Sequence, residues 1–199
     1  MDKSRTETFS DSIFAIAATL LVLDFHAPLQ NQRLASSLVH LWPSFVAYAI
    51  SFLLIGLIWA NHHSMFTHFS RVDRVLLFLN VCLLADVALL PFPTQLLAQS
   101  IGSGNSLKTA AFFYGITLTV GGVFFNAIWL YGAHHKKLII PQTSKRSIRH
   151  TTQRFILGPI SYGLATVLSI FVPYLAIACY AALIIYYWLP PKGEPGTVE

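Results

Sequence analysis

The sequence predicts an all-α polytopic membrane protein with six transmembrane helices and no re-entrant pore loop. Three observations carry that reading. Of 199 residues, 55% are hydrophobic and only 11% charged, too little charge to clothe a soluble domain of this length. Apolar runs recur at the length, about 20 residues, that crosses the hydrocarbon layer as a helix. The basic residues gather between alternate runs, the pattern that orients membrane helices.

The spans are expected at 6–25, 40–63, 74–99, 108–133, 154–171 and 173–189, within a single unit covering 1–199. The first is not a cleavable signal: its apolar part is too long, and Glu7 and Asp11 stand at its front. No small-residue cleavage site follows before Asp24. The last two runs form one apolar stretch too long for a single crossing. Pro173 removes a backbone donor in its middle and divides it there.

With the N-terminus inside, the inner segments hold Lys3, Arg5, Arg71, Arg74, Lys136, Lys137, Lys145, Arg146, Arg149, Arg154 and Lys192. The outer segments hold Arg33 and Lys108. Both termini are therefore expected in the cytoplasm, with the chain in the cell membrane. The inner loop "HHKKLIIPQTSKRSIRHTTQR" is expected to meet anionic lipid headgroups. The net charge of +5 lies between spans rather than on one soluble face, which favours lipid over nucleic acid as a partner.

Catalytic and cofactor signals are missing from the sequence. It has no Walker loop, GxGxxG or CxxC motif, and no Ser-His-Asp arrangement or HExxH. Cys82 and Cys179 lie inside apolar runs and read as small hydrophobes. Adjacent His62 and His63 point about 100° apart on a helix and cannot chelate one ion together. Neither an enzyme nor a metal or cofactor site is expected.

The first span opens with charge. Asp11 falls near the inner end of the hydrocarbon, where a carboxylate needs a partner or water. Arg5, six residues earlier, is off its face, so help must come from another helix. Trp59, Asn61, His62 and His63 end the second span at the same depth. Asn80 on the third span, and Asn126 with Trp129 on the fourth, reach it too. Such a polar layer either holds the bundle together or takes part in transport.

Asp86 falls about 18 Å along the axis from Arg74, near mid-membrane, as a relay or as a buried hydrogen-bonded acid. Asp24 marks the outer end of the first span, where it either concentrates cations or simply meets solvent. Ser12, Ile16, Thr19, Leu20 and Leu23 share one stripe, with Ile16, Leu20 and Leu23 at i, i+4 and i+7. Hydropathy alone leaves open whether that stripe meets lipid or protein.

These residues resemble a known family. "RTETFSD" fits the Arg-x-x-x-Phe-Ser-Asp signature that opens the first helix of the endosomal and lysosomal potassium channels, here Arg5, Phe9, Ser10 and Asp11. The continuation "IFAIAATLLVLDF" is similar to that family's pore helix, and the Trp-x-x-His-His end of the second span extends the likeness. The resemblance implies a K⁺ channel in which four copies of the six-helix unit surround a pore lined by the first helix.

By position, the resemblance makes Ile16 the constriction, Leu20 and Leu23 further hydrophobic layers, and Thr19 the selectivity layer. Ser12, where glycine is common in relatives, and Asp24 would stand at the two pore entrances. The resemblance implies that Trp59 and His62 or His63 brace the signature, with Asn61 beside them in the inner polar layer. No Thr-Val-Gly-Tyr-Gly loop is present, so an isoleucine ring would gate by dewetting, with selectivity set by the cost of stripping water from each ion. The rival readings are a proton-coupled secondary transporter, working through Asp11, the histidines and Asp86, and a proton leak through the same pore.

Overall fold

The computed structural model describes residues 2–25, 38–104, 106–135, 137–141 and 145–188. Arg33, Lys136 and Lys192 lie outside the described residues, as do the side chains of Asp24, Lys145 and Arg146. Helix α1 (Lys3–Leu20) starts where the Asp2 carboxylate accepts the Ser4 amide at 3.1 Å, satisfying one of the free donors of the first turn. It tightens into a 3₁₀ turn over Leu21–Asp24. Helix α2 (Trp42–Phe66) carries Pro43 in its first turn, where the missing N–H costs nothing. Asp73 caps α3 (Arg74–Leu89) by accepting the Leu76 amide at 2.9 Å.

α4 (Pro91–Ser103) follows α3 after one residue. Pro91 and Pro93 cannot donate to the helical ladder. The Leu90 amide takes the Val87 carbonyl at 3.1 Å instead, and the Thr94 hydroxyl adds a bond to Leu90 O at 2.8 Å. The pair therefore runs on as a 30-residue apolar stretch, Arg74–Ser103. Gly104, at φ 71°, ends it in the left-handed conformation that glycine adopts without strain. Then come α5 (Leu107–His134), α6 (Lys145–Ser169) and α7 (Pro173–Trp188). The chain turns between Ser169 and Pro173, where the Val172 amide bonds Leu168 O at 2.9 Å.

Four stretches, Lys3–Leu23, Trp42–Phe66, Arg74–Ser103 and Leu107–His134, are each long and apolar enough to cross a membrane. α7 is a shorter apolar helix. Among the described residues there is no β-strand, only an isolated bridge between Phe69 and Ile139. The fold is thus an all-α, multi-pass membrane bundle.

α5 is the central helix, in contact with α3, α4, α6 and α7, and buries Tyr114, Leu118, Ile128 and Trp129. Close approach is possible because Gly115 has no Cβ; one there would collide with the Tyr180 hydroxyl, which reaches across to Ala111 O at 3.3 Å. The Ser51 hydroxyl meets those of Thr94 and Tyr114 at 2.8 and 3.0 Å, joining α2, α4 and α5. Pro159 inside α6 leaves the Phe155 carbonyl without its helical amide. Asn126 of α5 supplies the missing donor at 2.8 Å. α1 sits at the edge of this assembly, against α2 and α3.

Candidate functional site

α1 has two faces. Thr6, Ser10, Phe14 and Ala17, spaced four, four and three apart, are buried in the bundle. On the side turned away from it, Ser12, Ile16, Thr19, Leu20 and Leu23 are exposed, with Ile16 at 54% and Leu23 at 66%. A directional hydrogen-bond chain holds the buried face. The Ser10 hydroxyl donates to Thr6 O at 2.8 Å and accepts from Asn80 Nδ2 at 3.0 Å. Asn80 Oδ1 then faces His62 Nε2 at 2.8 Å. With the amide so oriented, Nε2 must carry the proton and donate.

Ser10, Asn80 and His62 are all essentially fully buried, and the imidazole is stacked on Phe66 with its centroid 4.3 Å away. Phe14 meets the same ring edge-on at 5.4 Å. α1, α2 and α3 are thereby locked in one rotation about α1. On the flank of α1, Trp59 Nε1 donates to Asp11 Oδ1 at 2.8 Å. The two line a groove of about 320 Å³ with Phe14, Ala15, Ala18, Phe52, Ile55 and Gly56.

Not every expected member of the polar layer joins it. Asn61 donates to Leu57 O at 3.0 Å and lines a separate cavity beside Asp86. His63 and Arg5 are exposed, and neither side chain makes a hydrogen bond among the described residues; Phe9 is 52% exposed. Asn126 and Trp129 serve α6 instead: Asn126 bonds Phe155 O, and Trp129 Nε1 donates to Thr152 Oγ1 at 2.8 Å. The layer is therefore two clusters, one for α1–α3 and one for α5–α6. Asn80, a lone amide in the run "LLFLNVCLL", bridges the first cluster and carries more of it than its place in the sequence suggests.

The two hydroxyls on the open stripe are oriented by their own helix. Ser12 Oγ donates to Thr8 O and Thr19 Oγ1 to Ile16 O, each at 2.9 Å. Each proton is engaged with the backbone, so the stripe presents oxygen lone pairs, the polarity that suits a cation.

The family described as endosomal/lysosomal potassium channel TMEM175 matches residues 5–91. A potassium channel of Streptomyces collinus is 37% identical over 188 residues, spanning 94% of this chain and 91% of that protein. The chain belongs to the TMEM175 family. This is a family of ion channels, not of enzymes. The crystal structure of a lysosomal potassium-selective TMEM175 homologue from Chamaesiphon minutus superposes with a TM-score of 0.84 at 33% identity, covering 94% of this chain and 96% of that one. The TMEM175 of Danio rerio, described as an endosomal/lysosomal proton channel, is 36% identical over 141 residues; the match covers 65% of this chain and 27% of that protein.

Proposed function

We propose that the chain is one subunit of a K⁺-permeable channel in which four copies turn the open stripe of α1 toward a shared axis. The reading rests on the division of α1 into two faces. Its buried side is committed to α2 and α3 through the Ser10–Asn80–His62 chain, which leaves Ser12, Ile16, Thr19, Leu20 and Leu23 exposed on the other side. Because α1 lies at the edge of the bundle, a path along its open side needs other copies to close it. Six crossings, built from α1, α2, the joined α3 and α4, α5, α6 and α7, put both termini in the cytoplasm. The relatives named potassium channels support K⁺ as the permeant ion.

Along the axis, Ile16 forms the narrow ring, with Leu20 and Leu23 above it. Aliphatic rings hold no oxygen for an ion that has shed its water, so they gate by dewetting and favour the ion that dehydrates more easily. Thr19 oxygens restore part of that lost hydration. Asp11, held by Trp59, and Ser12 stand at the inner mouth, and Asp24 at the outer one.

The test is K⁺ and Na⁺ flux in liposomes holding the purified protein. Replacing Ile16 by Asn wets the constriction and raises flux at least several-fold; unaltered conductance removes Ile16 from the narrow point. A second reading, proton permeation through the same path, is favoured by the vertebrate relatives named proton channels. It predicts acidification of the liposome lumen under an inward proton gradient, rising in the same Ile16→Asn variant.

A further inference from the structure

A second polar site lies inside the bundle, apart from the open stripe of α1. α2, α3, α5, α6 and α7 line a partly open cavity of about 100 Å³. Its wall is mostly aliphatic and aromatic, yet Asn61, Asp86, Asn126 and Tyr162 all reach it. Asn126 Oδ1 and Tyr162 Oη are buried without a hydrogen-bond partner among the described residues, in residues only 7% and 8% exposed. Among the same residues the Asp86 carboxylate accepts no hydrogen bond. A Cβ on Gly121 would run into that carboxylate, so glycine at this point of α5 makes its room. Gly121 stands about 7.5 Å along the α5 axis from Asn126, which spreads the polar groups over more than one layer of the membrane.

The donor–acceptor balance selects the ligand. A carboxylate and an amide oxygen only accept, and the Tyr162 hydroxyl has both capacities free. A donor-rich guest is required. A bare metal ion would meet largely apolar surface beside the Arg154 guanidinium. A water needs about 10–15 Å³ and two to four polar partners; the volume holds several, and Asn126 Oδ1, Tyr162 Oη and the Asp86 carboxylate are the partners it offers. A carboxylate at membrane depth without a protein partner calls for water or a proton.

We propose that this cavity is a hydrated proton-binding site centred on Asp86. Water bridges Asn126 Oδ1, Tyr162 Oη and the carboxylate. Hydronium gives its proton to a carboxylate oxygen, leaving the neutral acid and one water, and the reverse step releases it. The other ionisable groups on the wall are Arg154 and Tyr162 of α6 and Tyr187 of α7. α2 and α5 add the non-titrating Asn61 and Asn126, and α1 and α4 contribute no side chain. Arg154 donates to Tyr187 O at 3.4 Å, which holds its charge at that end of the cavity. The site does not depend on which face of α1 conducts.

Two measurements on the full chain in lipid vesicles test it. X-ray radiolytic footprinting of the wild type should modify Tyr162 and Phe155 several-fold faster than Tyr114, which is buried outside the cavity with its hydroxyl bonded to Ser51. Acid-minus-alkaline infrared difference spectra should show a protonated-carboxyl band that the isosteric Asp86→Asn removes. Equal labelling of Tyr162 and Tyr114 overturns the hydrated cavity. Identical difference spectra in wild type and Asp86→Asn overturn proton binding, even where the labelling shows water.

Discussion

Asn80 is the residue on which the site depends most. It gives its amide hydrogen to Ser10 and its oxygen to His62, so one side chain ties three helices together. Asn80→Leu would leave the His62 N–H without a partner in the interior, and an orphaned donor costs about 1–3 kcal/mol. A thermal-unfolding series in detergent should therefore show Asn80→Leu clearly destabilised. Adding His62→Leu should lose less than the sum of the single changes, because no unpaired N–H then remains. In the proposed channel Thr19 faces the other way, toward the ion. Its oxygen faces outward because its proton goes to Ile16 O, so Thr19→Val should shrink the K⁺/Na⁺ permeability ratio in bilayer recordings with little change in stability. An unchanged ratio would deny Thr19 any part in selectivity.

Among the helices, much was legible in advance and some was not. Runs of about 20 apolar residues locate helices in a membrane protein because the bilayer sets their length. The motif residues Arg5, Phe9, Ser10 and Asp11 carry the family in seven positions. Which side chains meet was harder. His62 and His63 are adjacent and chemically identical, and only the rotation of α2 against α3 decides that His62 is buried while His63 is exposed. By the same rotation Asn61 faces the Asp86 cavity and Trp59 faces Asp11. Pro159 marks α6 as a helix missing a donor, yet nothing local says that Asn126, 33 residues earlier, provides it. That repair is testable. Asn126→Leu should destabilise the protein by about 1–3 kcal/mol through the orphaned Phe155 carbonyl. In a Pro159→Ala background, where the helix regains its own amide, the same change should cost less; an equal cost would show that Asn126 acts elsewhere.

In the proposed tetramer, two properties of α1 act together. Its inner face is fastened to its own subunit, and its outer face is apolar with oriented hydroxyl oxygens. Exposed Ile16, Leu20 and Leu23 would be unremarkable against acyl chains, so their meaning depends on what stands opposite them. Four copies around an axis bring each residue close to its own counterparts. Disulfide trapping reads that geometry directly: Ile16→Cys in a protein whose Cys82 and Cys179 are replaced by Ala, oxidised in native membranes and run on a non-reducing gel. A shared axis converts monomer rapidly to a covalent dimer, while Phe171→Cys, exposed at the α6–α7 turn, remains monomeric. If Ile16→Cys stays monomeric while the protein still carries K⁺, the stripe faces lipid and the ion path lies elsewhere.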